Sequence, residues 1–261
     1  MLKSLDNRRL LSLVLVGALA WSLAGINWGG PLAHTGGAGT LGDFVLALLP
    51  PELSPGFLRL ALWASWQTVT YAVAAITLAV LIGLPLGVLA SGEVTGSSRT
   101  GLATALAVRL FLAGIRSVHE LVWAVLFVTA FGFSSLSAIL AIALPYAGIL
   151  GRIYAERLAD VPDVPLRALR SGGASPMGTL LYGRVPMAFP DLLSYTFYRF
   201  ECAIRAAAIM SFVGIRGLGF EIQLSLQDLH FDQVWTLMLF LVGLVLLVDA
   251  WSSRVRRSLA S

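Results

Sequence analysis

The sequence predicts an all-α polytopic membrane protein with about six transmembrane helices, and three observations carry that expectation. Of its 261 residues, 57% are hydrophobic and 12% are charged, half the roughly 25% charged fraction of a soluble domain. The apolar residues fall in continuous runs of a length that crosses a bilayer, not in the short alternating strands of an outer-membrane barrel. The 18 lysines and arginines are also distributed very unevenly between successive connections, as topology signals are.

The first span is expected at about 10–28, within an N-terminal anchor segment of 1–30. Its basic start, apolar centre and Ala18-Leu19-Ala20 also fit a cleaved signal peptide. The apolar run continues beyond the possible cleavage point, which favours an uncleaved anchor. Residues 31–57 read as a periplasmic loop rich in Gly and Pro, with a short interfacial helix at Leu41 to Leu49. The membrane core is expected over 58–257, with spans at about 61–90, 101–131, 135–154, 189–213 and 233–251. Gly83 and Gly87 flank Pro85 near the end of the second span, a small-xxx-small spacing that suits close helix packing or a kink.

Placing both termini in the cytoplasm puts twelve basic residues in the inner segments. These are Lys3, Arg8, Arg9, Arg99, Arg152, Arg157, Arg167, Arg170, Arg184, Arg254, Arg256 and Arg257. Only Arg59 and Arg216 fall outside, and Arg109, Arg116, Arg199 and Arg205 fall within spans. The connection 155–190 is therefore cytoplasmic. Pro162 and Pro165 end the fourth helix, and Pro165 opens a short helix through Ser171. Gly172-Gly173 allow a left-handed turn, Ser175 caps a second short helix starting at Pro176, and Pro186 with Pro190 close the unit.

Charges inside spans are costly toward lipid and must face one another, a pore or a helix interface. The candidates are Arg116, His119, Glu120, Arg199, Glu201 and Arg205. On continuous helices Arg116 with Glu120, and Glu201 with Arg205, stand four apart and can pair. Two readings stay open for this set: an inter-helix ion-pair network, or a path whose excess positive charge suits an oxyanion. Gly214, Gly217 and Gly219 read as a plain turn at the outer end of the fifth span.

Cys202 is the single cysteine, which excludes an intramolecular disulfide. His34, His119 and His230 are far apart, with no metal spacing, and no phosphate-binding loop occurs. The sequence is expected not to be an enzyme, and to hold no metal and no cofactor. Its pI of about 9.6 reflects topology and partner contacts, not nucleic acid. A secondary transporter is disfavoured, because the two halves show no repeat.

The pattern Ala168, Gly173-Ala174 and Pro186 resembles the cytoplasmic "EAA" loop of type I ABC-importer permeases. Arg167 stands where that family usually carries Glu, and Leu169 replaces the second Ala. Arg116-Ser-Val-His-Glu120, Ser194-Tyr-Thr-Phe-Tyr-Arg-Phe-Glu201, Gly214-Ile-Arg-Gly-Leu-Gly219, Gly173-Ala-Ser175 and Tyr182-Gly183 are similar to the permeases of phosphonate-type importers. Arg216 departs from that pattern. The resemblance implies ATPase coupling through Arg167, Ala168, Gly173, Ala174, Ser175, Tyr182, Gly183 and Pro186, a phosphonate or related oxyanion (phosphate, phosphite) as the solute, and an outer gate or binding-protein contact at Gly214, Gly217 and Gly219. It implies a bacterial inner-membrane complex of two permease copies, two ATPase subunits and one solute-binding protein, with ATP and Mg bound by the partners. The alternatives are a permease for another small solute, such as methionine, and a membrane scaffold subunit with no path.

Overall fold

The computed structural model describes residues 2–26, 37–94 and 98–260, and every regular element among them is helical. The chain forms two compact units, Met1–Leu46 and Ala47–Ser261. The first holds α1 (Leu2–Ala24) and α2 (Gly37–Leu46). Its long apolar side chains, such as Leu13 and Trp21, are exposed. The expected end of the first span near 28, the 30/31 boundary and His34 lie outside the described residues. Where a short helix is expected at 41–49, the structure has α2 at Gly37–Leu46.

The second unit contains α3 (Pro55–Ser91), α4 (Arg99–Ser117), α5 (Glu120–Phe131), α6 (Ser135–Ala159), α7 (Asp163–Ser171), α8 (Pro176–Thr179), α9 (Val185–Met210), α10 (Leu218–Gln227) and α11 (Phe231–Ala260). Residues 47–57, expected within the outer loop, are tied to this unit. The Glu52 amide donates to Asp232 O, and Thr236 Oγ1 donates to Glu52 O at 2.9 Å.

α6 is the central helix. Ala138, Ala141, Ala143 and Ala147 on α6, and Ala72, Ala75 and Ala79 on α3, are all but inaccessible. Such small residues let helices approach where lipid supplies no hydrophobic drive between them. Gly83 and Gly87 serve that packing: a Cβ on Gly87 would lie 2.8 Å from Gly151 O, and one on Gly83 3.1 Å from Ala147 O. Gly148 does the same for α4, since its Cβ would lie 2.9 Å from Leu112 O. The outer surface is apolar instead, with Trp63, Leu81, Leu110 and Leu247 each more than 60% exposed. In water that surface would be an aggregation liability; in a bilayer it is solvated.

Among the described residues, four helices are long and apolar enough to cross a membrane: α3, α4, α6 and α11. α9 has 26 residues but carries Asp191, Arg199, Glu201 and Arg205. The expected third span is corrected. It is not one helix over 101–131 but α4 and α5, separated where Val118 and His119 turn extended, with ψ of 127° and 144°. His119 begins α5 as its cap, its Nδ1 accepting from the Leu121 amide at 3.2 Å. The Trp123 indole donates to Ile115 O at 3.3 Å, satisfying a carbonyl that the interrupted ladder releases.

A second correction concerns Pro186 and Pro190, which do not close the cytoplasmic unit. α8 continues through a π-turn, Leu180–Arg184, directly into α9. Pro186 falls in the first turn of α9, next to a turn whose hydrogen-bond register has already widened, so its missing N–H breaks nothing. Helix α10, between the fifth and sixth spans, was not anticipated from the sequence.

Candidate functional site

The α7–α8 segment is built as a rigid corner. α7 ends in a Schellman motif: the Ala174 amide donates to Leu169 O at 3.1 Å and the Gly173 amide to Arg170 O at 3.0 Å. Gly173 takes φ +85° with nothing within 4 Å of where a Cβ would be. Its requirement is therefore conformational, not spatial. Ser175 caps α8, its Oγ accepting from the Gly178 amide at 3.1 Å, as the sequence predicts. Leu166 is fully buried beneath α7, and a Cβ on Gly183 would collide with Leu166 and Leu169. Gly183 thus seats α7 and does not face outward. Arg167, Ala168, Gly173, Ser175, Tyr182 and Pro186 are exposed, and Ala174 is half-buried. Val164, Met177, Leu181 and Tyr182 add exposed apolar area.

Arg184 fastens this corner to the bundle, and sequence reasoning missed that role. Its side chain is 5% exposed, with Nη2 2.6 Å from Glu93 and 3.8 Å from Asp163. Nη1 donates to Leu158 O at 2.7 Å. One guanidinium therefore joins the α3–α4 connection, the end of α6 and the start of α7. The available signal was its isolation, a single charge in the otherwise uncharged run Leu180 to Pro190.

The intramembrane residues divide into separate groups. Because the helix breaks at Val118–His119, Arg116 and Glu120 lose the four-residue relation that would let them pair. His119 Nε2 instead lies 3.8 Å from Glu120, with the imidazole 64% exposed. Glu201 is corrected as well: its carboxylate pairs with Arg256 of α11, not with Arg205. Arg256 also donates to Ser252 Oγ and Ser253 Oγ, at 2.8 and 2.9 Å. Arg205 contacts Cys202 Sγ at 3.4 Å. That interface is a structural clamp between α9 and α11.

Arg116 and Arg199 are brought together elsewhere, along with Arg109 and Arg152. A cavity of about 610 Å³ is lined by Arg109, Arg116, Arg152, Glu156 and Asp160. A second, of about 350 Å³, is lined by Arg116, Arg152, Glu156, Tyr195 and Arg199. Arg152 Nε donates to Glu156 at 2.7 Å. Arg199 donates to Tyr195 Oη at 3.0 and 2.6 Å, and its guanidinium also lies over the rings of Tyr195 and Tyr198. Arg116 Nε is buried without a partner.

At the opposite end of the bundle, Gly214, Gly217 and Gly219 thread between helices. Gly214 has φ +91°, and its Cβ would strike the Phe133 ring at 2.7 Å. A Cβ on Gly217 would lie 2.6 Å from Ser211 Oγ, and one on Gly219 only 1.9 Å from Ala208 O. The Leu218 amide donates to Thr68 Oγ1 at 3.1 Å. Gly217, Leu218 and Gly219 are buried in this crossover, while Gly214 is half-buried and Arg216 is exposed. Beside it, burial raises the Glu221 carboxyl above the ordinary carboxylate range, with Arg216 pulling the other way.

Comparison with known proteins places these features in a family. The phosphite transport system permease PtxC of Stutzerimonas stutzeri is 37% identical over 149 residues, 57% of this chain and 54% of that protein. The phosphate-import permease PhnE of Mycolicibacterium smegmatis is 30% identical over 224 residues, 84% of this chain and 41% of that protein. The chain thus spans about half the length of these relatives, or less. A chain in an inward-facing structure of the MetNI methionine ABC transporter superposes with a TM-score of 0.69 at 22% identity, covering 79% of this chain and 99% of that one. The two chains share one fold. Residues 83–261 match the model of the binding-protein-dependent transport system inner membrane component, and the chain belongs to that family.

Proposed function

We propose that the chain is the permease subunit of an ATP-driven importer that moves phosphonate, or a related oxyanion such as phosphate or phosphite, across the bacterial inner membrane. The observation that carries the reading is the α7–Gly173–α8 corner, anchored in the bundle by Arg184 while its outer face is left open. Exposed Val164, Met177, Leu181 and Tyr182 share this corner with exposed Arg167 and Arg170. That mixture of apolar anchors and basic rim suits docking into a groove of an ATPase subunit. Arg167 stands ready to meet an acidic residue on that partner. The relatives' named substrates, phosphite and phosphate, support the oxyanion class. So does the excess of arginine in the cavities.

In this reading two copies of the chain line one path, two ATPase subunits bind ATP and Mg, and a solute-binding protein docks at the α10 end. Both termini and the α7–α8 corner then lie in the cytoplasm. ATP-driven closure of the ATPases moves the corner, and Arg184 passes that movement to α3, α4 and α6. The test is purification of the chain with its genomic ATPase and binding protein, followed by reconstitution in liposomes. Phosphite, phosphate or methylphosphonate with the binding protein should stimulate ATP hydrolysis and appear inside. Uptake that proceeds without any ATPase would overturn the reading.

A further inference from the structure

We propose that Arg116, Arg152 and Arg199 form a binding site within the bundle for a tetrahedral phosphorus oxyanion, approached past Arg109 from the α7 end. The two cavities share Arg116, Arg152 and Glu156 as their common wall. Four arginines line them against two carboxylates, Glu156 and Asp160. Both carboxylates are engaged already, Glu156 by Arg152 at 2.7 Å and Asp160 near Arg157 at 3.9 Å. Arg109 is occupied in part, donating to Ala90 O at 2.8 Å.

Arg116 and Arg199 have no carboxylate at ion-pair distance among the described residues, and the Arg116 Nε is buried without an acceptor. Buried donors in folded proteins are almost always satisfied, so this one is aimed at something outside the chain. Its position is imposed by the backbone: Gly148 has no Cβ, and one built there would press on the Arg116 Cβ at 3.2 Å. Arg199 is fixed by Tyr195 and Tyr198. The donors are thus held in place before any ligand arrives.

A phosphorus oxyanion supplies several acceptor oxygens and one or two negative charges, which match guanidinium forks. Each carboxylate of the lining already faces an arginine, so the excess of positive charge favours an anion over a zwitterion. The site deepens the importer reading and rests on it for its physiological meaning. A phospholipid headgroup offers the same chemistry, so the experiment distinguishes the two sources.

The full chain in phosphatidylcholine nanodiscs is titrated with methylphosphonate and with inorganic phosphate, and binding is followed by ³¹P NMR line broadening. Saturable binding is expected, weakened at least tenfold in Arg116→Gln and Arg199→Gln, partly restored in Arg116→Lys, and unchanged in Arg254→Gln, whose residue is exposed on α11. Monodisperse elution of each variant controls for folding. Adding phosphatidylglycerol separates the sources: displacement of the probe identifies a headgroup as the resident ligand, and persistence identifies the free ion. Absence of saturable binding, or equal binding in all variants, overturns the site. Uptake of phosphorus oxyanions that continues under that result leaves the importer reading standing. Binding without any such uptake in the full complex overturns the importer reading and keeps the site.

Discussion

Replacing Arg184 with methionine tests whether one buried guanidinium holds the α7–α8 corner. The substitution keeps most of the side-chain volume and removes three contacts: Glu93 at 2.6 Å, Leu158 O at 2.7 Å and Asp163 at 3.8 Å. Breaking a fully buried ion pair costs about 3–5 kcal/mol. Here Glu93 is 27% and Asp163 61% exposed, so water recovers much of their loss. The Leu158 carbonyl does not recover, and a buried unpaired acceptor costs about 1–3 kcal/mol. Together these give about 3 kcal/mol, or roughly a hundredfold in the local equilibrium between docked and undocked α7. Hydrogen exchange reads that equilibrium directly. The amides of α7 should exchange about a hundredfold faster, or reach the unprotected rate, while α3 and α6 stay protected. Arg184→Lys, which keeps one donor and the charge, should fall between. In the reconstituted complex, ATP hydrolysis should persist while uptake falls. Unchanged protection of α7 in Arg184→Met would refute the reasoning, because the corner would then be held by Leu166 and Gly183 alone.

Four further outcomes are expected. Gly219→Ala places a methyl 1.9 Å from Ala208 O and should cost about 3 kcal/mol or more, visible as loss of monodisperse protein in detergent. Gly173→Ala meets no steric obstacle and should cost only about 1 kcal/mol for its left-handed backbone, with its effect on coupled uptake larger than its effect on yield. Glu201→Gln and Arg256→Gln should destabilise by similar amounts, the double variant by no more than either, and Arg205→Gln by under about 0.5 kcal/mol; additive losses in thermal unfolding would separate the pair. Glu221→Gln should stabilise the folded chain at neutral pH. Burial raises the folded carboxyl, so ionisation costs stability progressively as pH rises from the unfolded value through the folded one. The gain over wild type should therefore vanish below about pH 4, where both states are protonated, and a pH-independent difference would contradict it.

Composition and run length made the all-helical membrane fold legible, and prolines with glycines marked most of the α7–α8 corner correctly. The Schellman turn at Gly173 and the Ser175 cap follow from local rules that need no tertiary partner. What escaped was everything decided between segments. The break at His119 falls among Arg116, His119 and Glu120 in a long apolar stretch, and those charges read as intramembrane partners because the histidine cap and the indole bond that stabilise the break have no propensity signal. Glu201 reads as a partner for Arg205 until α11 delivers Arg256 to the same place. Arg184 and Arg152 read as topology charges in sequence; only the folded chain shows one buried under α7 and the other lining two cavities. Pro186 misleads in the opposite sense, since a π-turn absorbs the stop it normally signals.

The interruption between α4 and α5 has a mechanical consequence. α5 has 12 residues, about 18 Å of helix at 1.5 Å per residue, little more than half the roughly 30 Å hydrocarbon thickness. Glycine contacts bring α3, α4 and α6 into close backbone approach. The half-length α5 is joined to them through a two-residue extended connection, one indole bond and the Ser137 clasp on Phe127 O and Gly132 O. Its Ala124 is fully buried, and Leu121, Trp123, Phe127 and Val128 pack on the core, so a helix too short to cross the hydrocarbon is held by its seam with α6 and not by its length.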